Sequence, residues 1–237
     1  MNKPTYEEML EAGVHYGHLK RKWNPKMLPY IFMERKGIHI IDLNRTSECL
    51  DRAAYAMKQM AKSGKKILFV ATKKQAKDIV ANAARSAEMP YVTERWLGGM
   101  MTNFSTIRKS VKKMNNIEKM LNDPAISITK KERLTLSREK EKLERVLGGV
   151  ANLNRLPSAV FMVDIHHEHI ALAEAKRLGM KTFAMVDTNS DPNKVDFAIP
   201  SNDDASKSVK LITEYVVNAI KAGLEERRVA KLDSKED

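Results

Sequence analysis

The sequence predicts an α/β protein built on a doubly wound parallel sheet, with a helical hairpin inserted into one of its crossovers. Three observations carry this. Residues 66–71, 159–164 and 181–186 are short apolar runs that alternate with segments of helical period. Apart from polar residues at their ends these runs are continuously apolar rather than apolar at every second position, as strands buried on both faces between helices are. From 104 to 147 a charged stretch almost free of Gly and Pro lies between two triplets, Leu97-Gly98-Gly99 and Leu147-Gly148-Gly149, which read as hinges.

Taken in order, Thr5-Tyr6-Glu7-Glu8 is a capping box that opens a short helix, and Gly13 ends it. Residues 14–26 mix His15, Tyr16, His18, Lys20, Arg21, Lys22, Trp23, Asn24 and Lys26 with Gly17 and Pro25 and no periodicity. That mixture predicts a loop, and a loop so composed is a binding candidate. Residues 37–42 read as a first strand, followed by a helix over 48–62 with Leu50, Ala53, Ala54, Met57 and Met60 on one side. The strand at 66–71 precedes a helix over 74–87 that Pro90 terminates, and 91–93 is a short strand leading to the first Gly pair. Within the insertion Phe104, Ile107, Val111, Met114, Ile117 and Leu121 form one helical stripe. Asn122-Asp123-Pro124 breaks it, the capping box Thr129-Lys130-Lys131-Glu132 restarts it, and Leu136, Leu143, Leu147 and Val150 answer it. The pair reads as an antiparallel coiled-coil hairpin. Beyond it come a strand at 159–164, a helix over 168–178 capped by Gly179, a strand at 181–186, a short edge strand at 197–200 and a closing helix over 203–226. The expected organisation is a discontinuous α/β domain (1–103 and 148–226), the hairpin (104–147) and a disordered tail (227–237).

Composition narrows the function. The 237 residues carry a net charge of +12, which points to a polyanionic partner. No apolar run approaches the roughly 20 residues that span a bilayer, so a membrane is not expected. A single Cys49 and an N-terminus without a signal peptide's apolar core point to a reducing, cytoplasmic setting. The hairpin holds twelve Lys and Arg against six Asp and Glu. A solvated helical surface laced with pairs such as Glu141 with Arg145 would account for part of this. The doublets Arg108-Lys109 and Lys112-Lys113 near its root, beside Arg95, Trp96, Thr102 and Asn103, point instead to nucleic acid held mainly through phosphate and sugar. His15 and His18 have the spacing of metal ligands, but no second Cys or His pair matches them, and no metal or other cofactor is expected.

An enzyme reading fails on chemistry. The loop Ala71-Thr72-Lys73-Lys74 follows a strand yet contains no phosphate-cradling Gly pattern. Asp187, Asn189 and Asp191 read as turn and capping residues, and no nucleophile stands at a recognisable spacing from a base. The remaining alternative is a cytosolic α/β protein that binds a sugar phosphate or nucleotide.

Five runs in sequence order decide between them: Glu11-Ala-Gly-Val-His-Tyr-Gly-His18, Trp23-Asn-Pro-Lys-Met27, Gly37-Ile-His-Ile-Ile-Asp-Leu43, Arg95-Trp-Leu-Gly-Gly-Met-Met-Thr-Asn-Phe104 and Val186-Asp-Thr-Asn-Ser-Asp-Pro192. They closely resemble the family of bacterial small-subunit ribosomal protein two, over about 5–223. The resemblance implies a flavodoxin-like domain with an inserted coiled coil, a non-enzymatic structural role in translation, and contact with 16S rRNA where head and body of the subunit meet. It also implies protein neighbours, among them ribosomal protein one, which helps recruit messenger RNA. Two expectations follow for the fold: the strand-end acids hold no small-molecule substrate, and removing 104–147 leaves the α/β core intact, because the hairpin shows no second apolar face to bury against the sheet.

Overall fold

The structure, a computed structural model, describes residues 3–123 and 129–236. The hairpin tip at 124–128, expected to face protein or solvent, lies outside the described residues.

The chain opens with α1 (Tyr6–Glu11), whose capping box between Thr5 and Glu8 forms as the sequence predicts. A small sheet follows, and it was not foreseen. Strands β1 (Tyr16–Leu19), β2 (Ile31–Arg35) and β3 (Ile38–Ile41) pair antiparallel in the order β1-β3-β2. The run at 37–42 is thus a strand of this sheet and not the first strand of the parallel one. The 15–26 segment, expected as a loop, supplies β1 and 3₁₀ turns at Lys20–Lys22 and Pro25–Tyr30. The cause is a two-residue hairpin turn. Arg35 pairs with Ile38, and between them Lys36 and Gly37 take φ of 51° and 74°, the left-handed pair that matches the twist of adjoining strands.

The main sheet has five parallel strands: β4 (Ile67–Val70), β5 (Tyr91–Val92), β6 (Ala159–Val163), β7 (Lys181–Val186) and β8 (Phe197–Pro200), ordered β5-β4-β6-β7-β8. Counted along the chain this is second, first, third, fourth, fifth, the flavodoxin-like order of doubly wound sheets. Side chains alternate between its two faces, as a pleated strand requires. Phe69, Phe161 and Phe183 pack on one side with α2 (Leu43–Lys62), α3 (Lys77–Ser86) and the last helix, α7. Leu68, Val70, Met162 and Val186 pack on the other with α6 (His169–Arg177). Helix α7 (Ser206–Glu236) lies along α2 and does not stop at Glu226. The expected tail is helical to Glu236, because residues 225–236 are mostly good helix formers without Gly or Pro.

Two helices, α4 (Phe104–Asn122) and α5 (Lys130–Leu147), stand between β5 and β6 and pack on each other. Met114 and Ile117 are buried, and Lys113 to Glu139 and Lys140 to Glu118 bridge the two helices at 2.5 and 2.7 Å. Their root does what the sequence reading denied. Ile107, Val111 and Leu147 belong to the same apolar cluster as Leu68, Val70 and Val160 of the sheet. Gly149 of the second pair is enclosed: a Cβ there would sit 2.1 Å from the Tyr91 carbonyl oxygen, so its 3₁₀ turn is pressed against β5, whereas a Cβ on Gly98 would meet nothing within 4 Å.

Candidate nucleic-acid interface

Two segments converge on the C-terminal edge of the parallel sheet. The first is 15–26. Asn24 N–H donates to the Thr188 carbonyl at 2.7 Å, and His18 N–H donates to Thr188 Oγ1 at 2.8 Å, so the segment is tied to the loop after β7. His18 Nδ1 lies 3.0 Å from Asp187 Oδ2 and its Nε2 3.4 Å from Asp204 Oδ2. The hydrogen bond to Asp187 raises the His18 pKa against the opposing effect of burial. His15 serves a different role, its ring 4.1 Å from that of Tyr16 and its pKa lowered by burial. Trp23 is half-buried against His39, ring centres 5.0 Å apart. Lys20 pairs with Glu34 at 2.6 Å and Lys26 with Asp191 at 2.8 Å. Arg21 and Lys22 are exposed and, among the described residues, make no ion pair.

The second segment, 94–103, follows β5 and wraps round one carboxylate. Glu174, in α6, is 8% exposed and accepts from Trp96 Nε1 at 3.1 Å, Gly99 N at 2.7 Å, Met101 N at 2.9 Å, and Thr102 N and Oγ1 at 3.0 and 3.1 Å. Burial raises its pKa, but these donors outweigh burial and hold it below the usual carboxylate range. Trp96 is therefore buried and committed inside the protein rather than presented to a partner. Thr102 shares that commitment through both its backbone and its hydroxyl. Asn103 accepts from Thr106 Oγ1 at 2.9 Å at the start of α4. Arg108 donates to the carbonyls of Ala151 and Leu153 and to Asn154 Oδ1, pinning the root of the hairpin. Lys113 is held by Glu139. Arg95, Lys109 and Lys112 are exposed and, among the described residues, without an ion pair. No sequence signal marked Glu174, a lone acid on an otherwise apolar helix stripe.

Between the two segments, where a doubly wound sheet would take a ligand, strand-end side chains pair with one another, although Asp203 Oδ2 is buried without a hydrogen-bond partner. Lys73 Nζ reaches Asp164 Oδ2 at 3.1 Å and Asp203 Oδ1 and Asp204 Oδ1 each at 2.7 Å. Glu168 Oε1 accepts from Thr72 N and Oγ1 at 2.7 and 2.6 Å. Asp164 Oδ1 accepts from the N–H groups of His166 and His167, and Asp191 Oδ1 from that of Asn193.

A family model described as Ribosomal protein S2 matches residues 9–223. The chain belongs to the ribosomal protein S2 family. It is 61% identical to the small ribosomal subunit protein uS2 of Cytophaga hutchinsonii, a match covering 98% of this chain and 92% of that one. It is 60% identical to the uS2 of Phocaeicola vulgatus and 59% identical to that of Bacteroides thetaiotaomicron, covering 98% of this chain and 84% of each relative. As a member of the S2 family it is a structural, non-enzymatic protein of the small ribosomal subunit and works in translation. Among the described residues no helix is long and apolar enough to cross a membrane.

Proposed function

We propose that this S2-family chain holds 16S rRNA at the C-terminal edge of its parallel sheet and along the first turns of α4, through phosphates bound by Arg21, Lys22, Arg95, Lys109 and Lys112. The observation that carries this is their availability. Many of the chain's cations are taken up by internal partners, whereas these five are exposed and without an ion pair among the described residues, Arg21, Lys22 and Arg95 on the two segments that converge on this edge and Lys109 and Lys112 on α4, which continues from the second. His15, His18, Trp23, Asn24 and Lys26 shape the first segment and Trp96, Thr102, Asn103, Arg108 and Lys113 the second, so their part in binding is to position the free cations. Helices α4 and α5 act together as an antiparallel coiled-coil arm that carries two of those cations at its root. The site lies at the junction of head and body of the subunit, in the bacterial cytoplasm.

The protein neighbours take a different surface. Tyr16, Phe32 and Met33, 50%, 69% and 47% exposed, line a cavity of about 790 Å³ over the small sheet, and this apolar face suits a protein better than a phosphate backbone. Ribosomal protein one, or a segment next to it, is its occupant in this reading.

Five phosphate contacts at a slope of about −0.7 to −0.9 each make rRNA affinity fall on the order of 10²- to 10³-fold over a fourfold rise in salt. Filter binding of the chain to 16S rRNA measures that slope. Replacing the five cations by Gln flattens it, and a slope unchanged by the replacement overturns the interface. Co-sedimentation with subunits gives the second arm: Phe32→Ser releases ribosomal protein one and leaves rRNA affinity intact, and retention of that protein overturns the docking assignment.

A further inference from the structure

At the opposite end of the parallel sheet a cleft of about 870 Å³ opens between the starts of β4, β5 and β6 and the root of the hairpin. Its lining includes Lys65, Lys66, Arg85 and Arg155, all exposed, and a single acid, Glu88. Among the described residues none of these four cations is in an ion pair. Lys66 Nζ donates instead to the backbone carbonyl of Glu88 at 2.7 Å. Arg85 is held flat, its guanidinium 4.9 Å from the Tyr91 ring centre and its Nε donating to Tyr91 Oη at 2.7 Å. A fifth cation stands on the wall. A Cβ on Gly64 would lie 2.3 Å from the Arg227 guanidinium carbon, so that side chain covers Gly64. The far wall is fixed by Arg108, which ties down the carbonyls of Ala151 and Leu153. These cations are gathered in one concave place that the fold preforms, whereas an ordinary solvated charged surface intersperses both signs.

We infer that this cleft is a second RNA site, which takes the phosphodiester backbone of a segment of 16S rRNA different from the one at the C-terminal edge. The inference rests on the chain being an rRNA-binding protein, and goes beyond it in place. Strands of four and five residues separate the two edges by about 13–17 Å. Arg21, Lys22 and Arg95 at one end and the cleft cations at the other thus stand at opposite ends of one sheet, and the protein bridges two RNA segments rather than capping one. A phosphate backbone fits better than a compact anion, because four exposed cations spread along the cleft match repeated charges.

The test is a variant in which Lys65, Lys66 and Arg155 become Gln, with Arg85 left to hold Tyr91. Binding to 16S rRNA is measured against salt beside the five-cation variant of the C-terminal edge. The expected result is a slope reduced by about 2 to 3 and affinity lowered on the order of 10-fold or more, with the thermal midpoint unchanged. A wild-type slope in the cleft variant, together with a reduced slope in the edge variant, overturns the cleft and leaves the first interface standing. The reverse pattern keeps the cleft and overturns the edge. Independently, an iron chelate tethered at Asn152→Cys in assembled subunits is expected to cleave 16S rRNA at positions different from those cut by a probe at Arg21→Cys. Identical positions, or no cleavage from residue 152, overturn the bridge.

Discussion

Glu174 shows how one side chain can organise a segment that carries charge for a partner. Its two oxygens gather an indole N–H, three backbone N–H groups and a hydroxyl from 96–102, so that Arg95 and the start of α4 emerge in fixed directions. Hydrogen bonds to a charged group are worth about 1.5–3 kcal/mol, and Glu174→Gln, which keeps the shape and removes the charge, is expected to cost that much in urea unfolding. The sign of its pH dependence follows from the lowered pKa. The stabilisation is fully present above the unfolded value of about 4.3 and is lost as pH falls through the lower folded value. The gap in unfolding midpoint between wild type and Glu174→Gln should therefore narrow below about pH 4, and a constant gap would show that the carboxylate charge is not what holds the segment. None of this was legible in the sequence, where Glu174 sits between Ala173 and Ala175 and looks like a solvated helix residue.

Whole elements were read with unequal success, for a physical reason in each case. The strands β4, β6 and β7 were plain because burial on both faces demands apolar residues at every position. Strand β2 was invisible because most of its side chains are exposed and carry no period, although Lys36-Gly37 between β-rich runs is the turn signal that could have disclosed it. The two helices at 104–147 lie where their apolar stripes place them, but their root packs on the sheet, which the stripes did not disclose. Ile107 and Val111 have the same three-and-four spacing as Met114 and Ile117, and spacing alone does not say whether a stripe meets a sister helix or a sheet. The consequence is measurable. Removing 104–147 takes Ile107, Val111 and Leu147 out of the core at about 1.5–3 kcal/mol each, and is expected to leave a chain that unfolds at low denaturant. Removing only the outer part, 116–137, and joining the helices by a short Gly-rich turn should keep the wild-type midpoint within about 1 kcal/mol. Equal stability of the two deletions would disprove the assignment of the root to the core.

At the scale of the molecule, Lys73 links Asp164, Asp203 and Asp204 from two strand ends, a group separate from the Asp187, Asn189 and Asp191 that the sequence singled out. Burial, with Asp187 and Asp164 alongside, pushes Asp203 up to about 7 against the pull of Lys73. An acid whose folded pKa is raised lowers stability as pH climbs from its unfolded value, about 3.9, through the folded one. Asp203→Asn should flatten the unfolding midpoint between about pH 4 and pH 7, while Lys73→Met, which strands buried charge, should cost about 3–5 kcal/mol. Calorimetry of the wild-type chain with nucleotides and sugar phosphates is expected to show no heat of binding, and micromolar affinity lost in Lys73→Met would refute the plugged site. The sheet order has a further consequence, in time rather than in energy. Strand β4 pairs with β5 at once, but its other edge waits for β6, and the register joins Ile67 to Ala159 with α3 and both hairpin helices synthesised between them. At about 5–20 residues per second a ribosome needs roughly 5–20 s to deliver the missing neighbour, during which an apolar strand edge stays open to other chains. The hairpin is made of local contacts and can close on the order of microseconds once both helices are out, so the arm is ready long before the sheet it is rooted in, and a nascent chain of this protein is most at risk of aggregation in that interval.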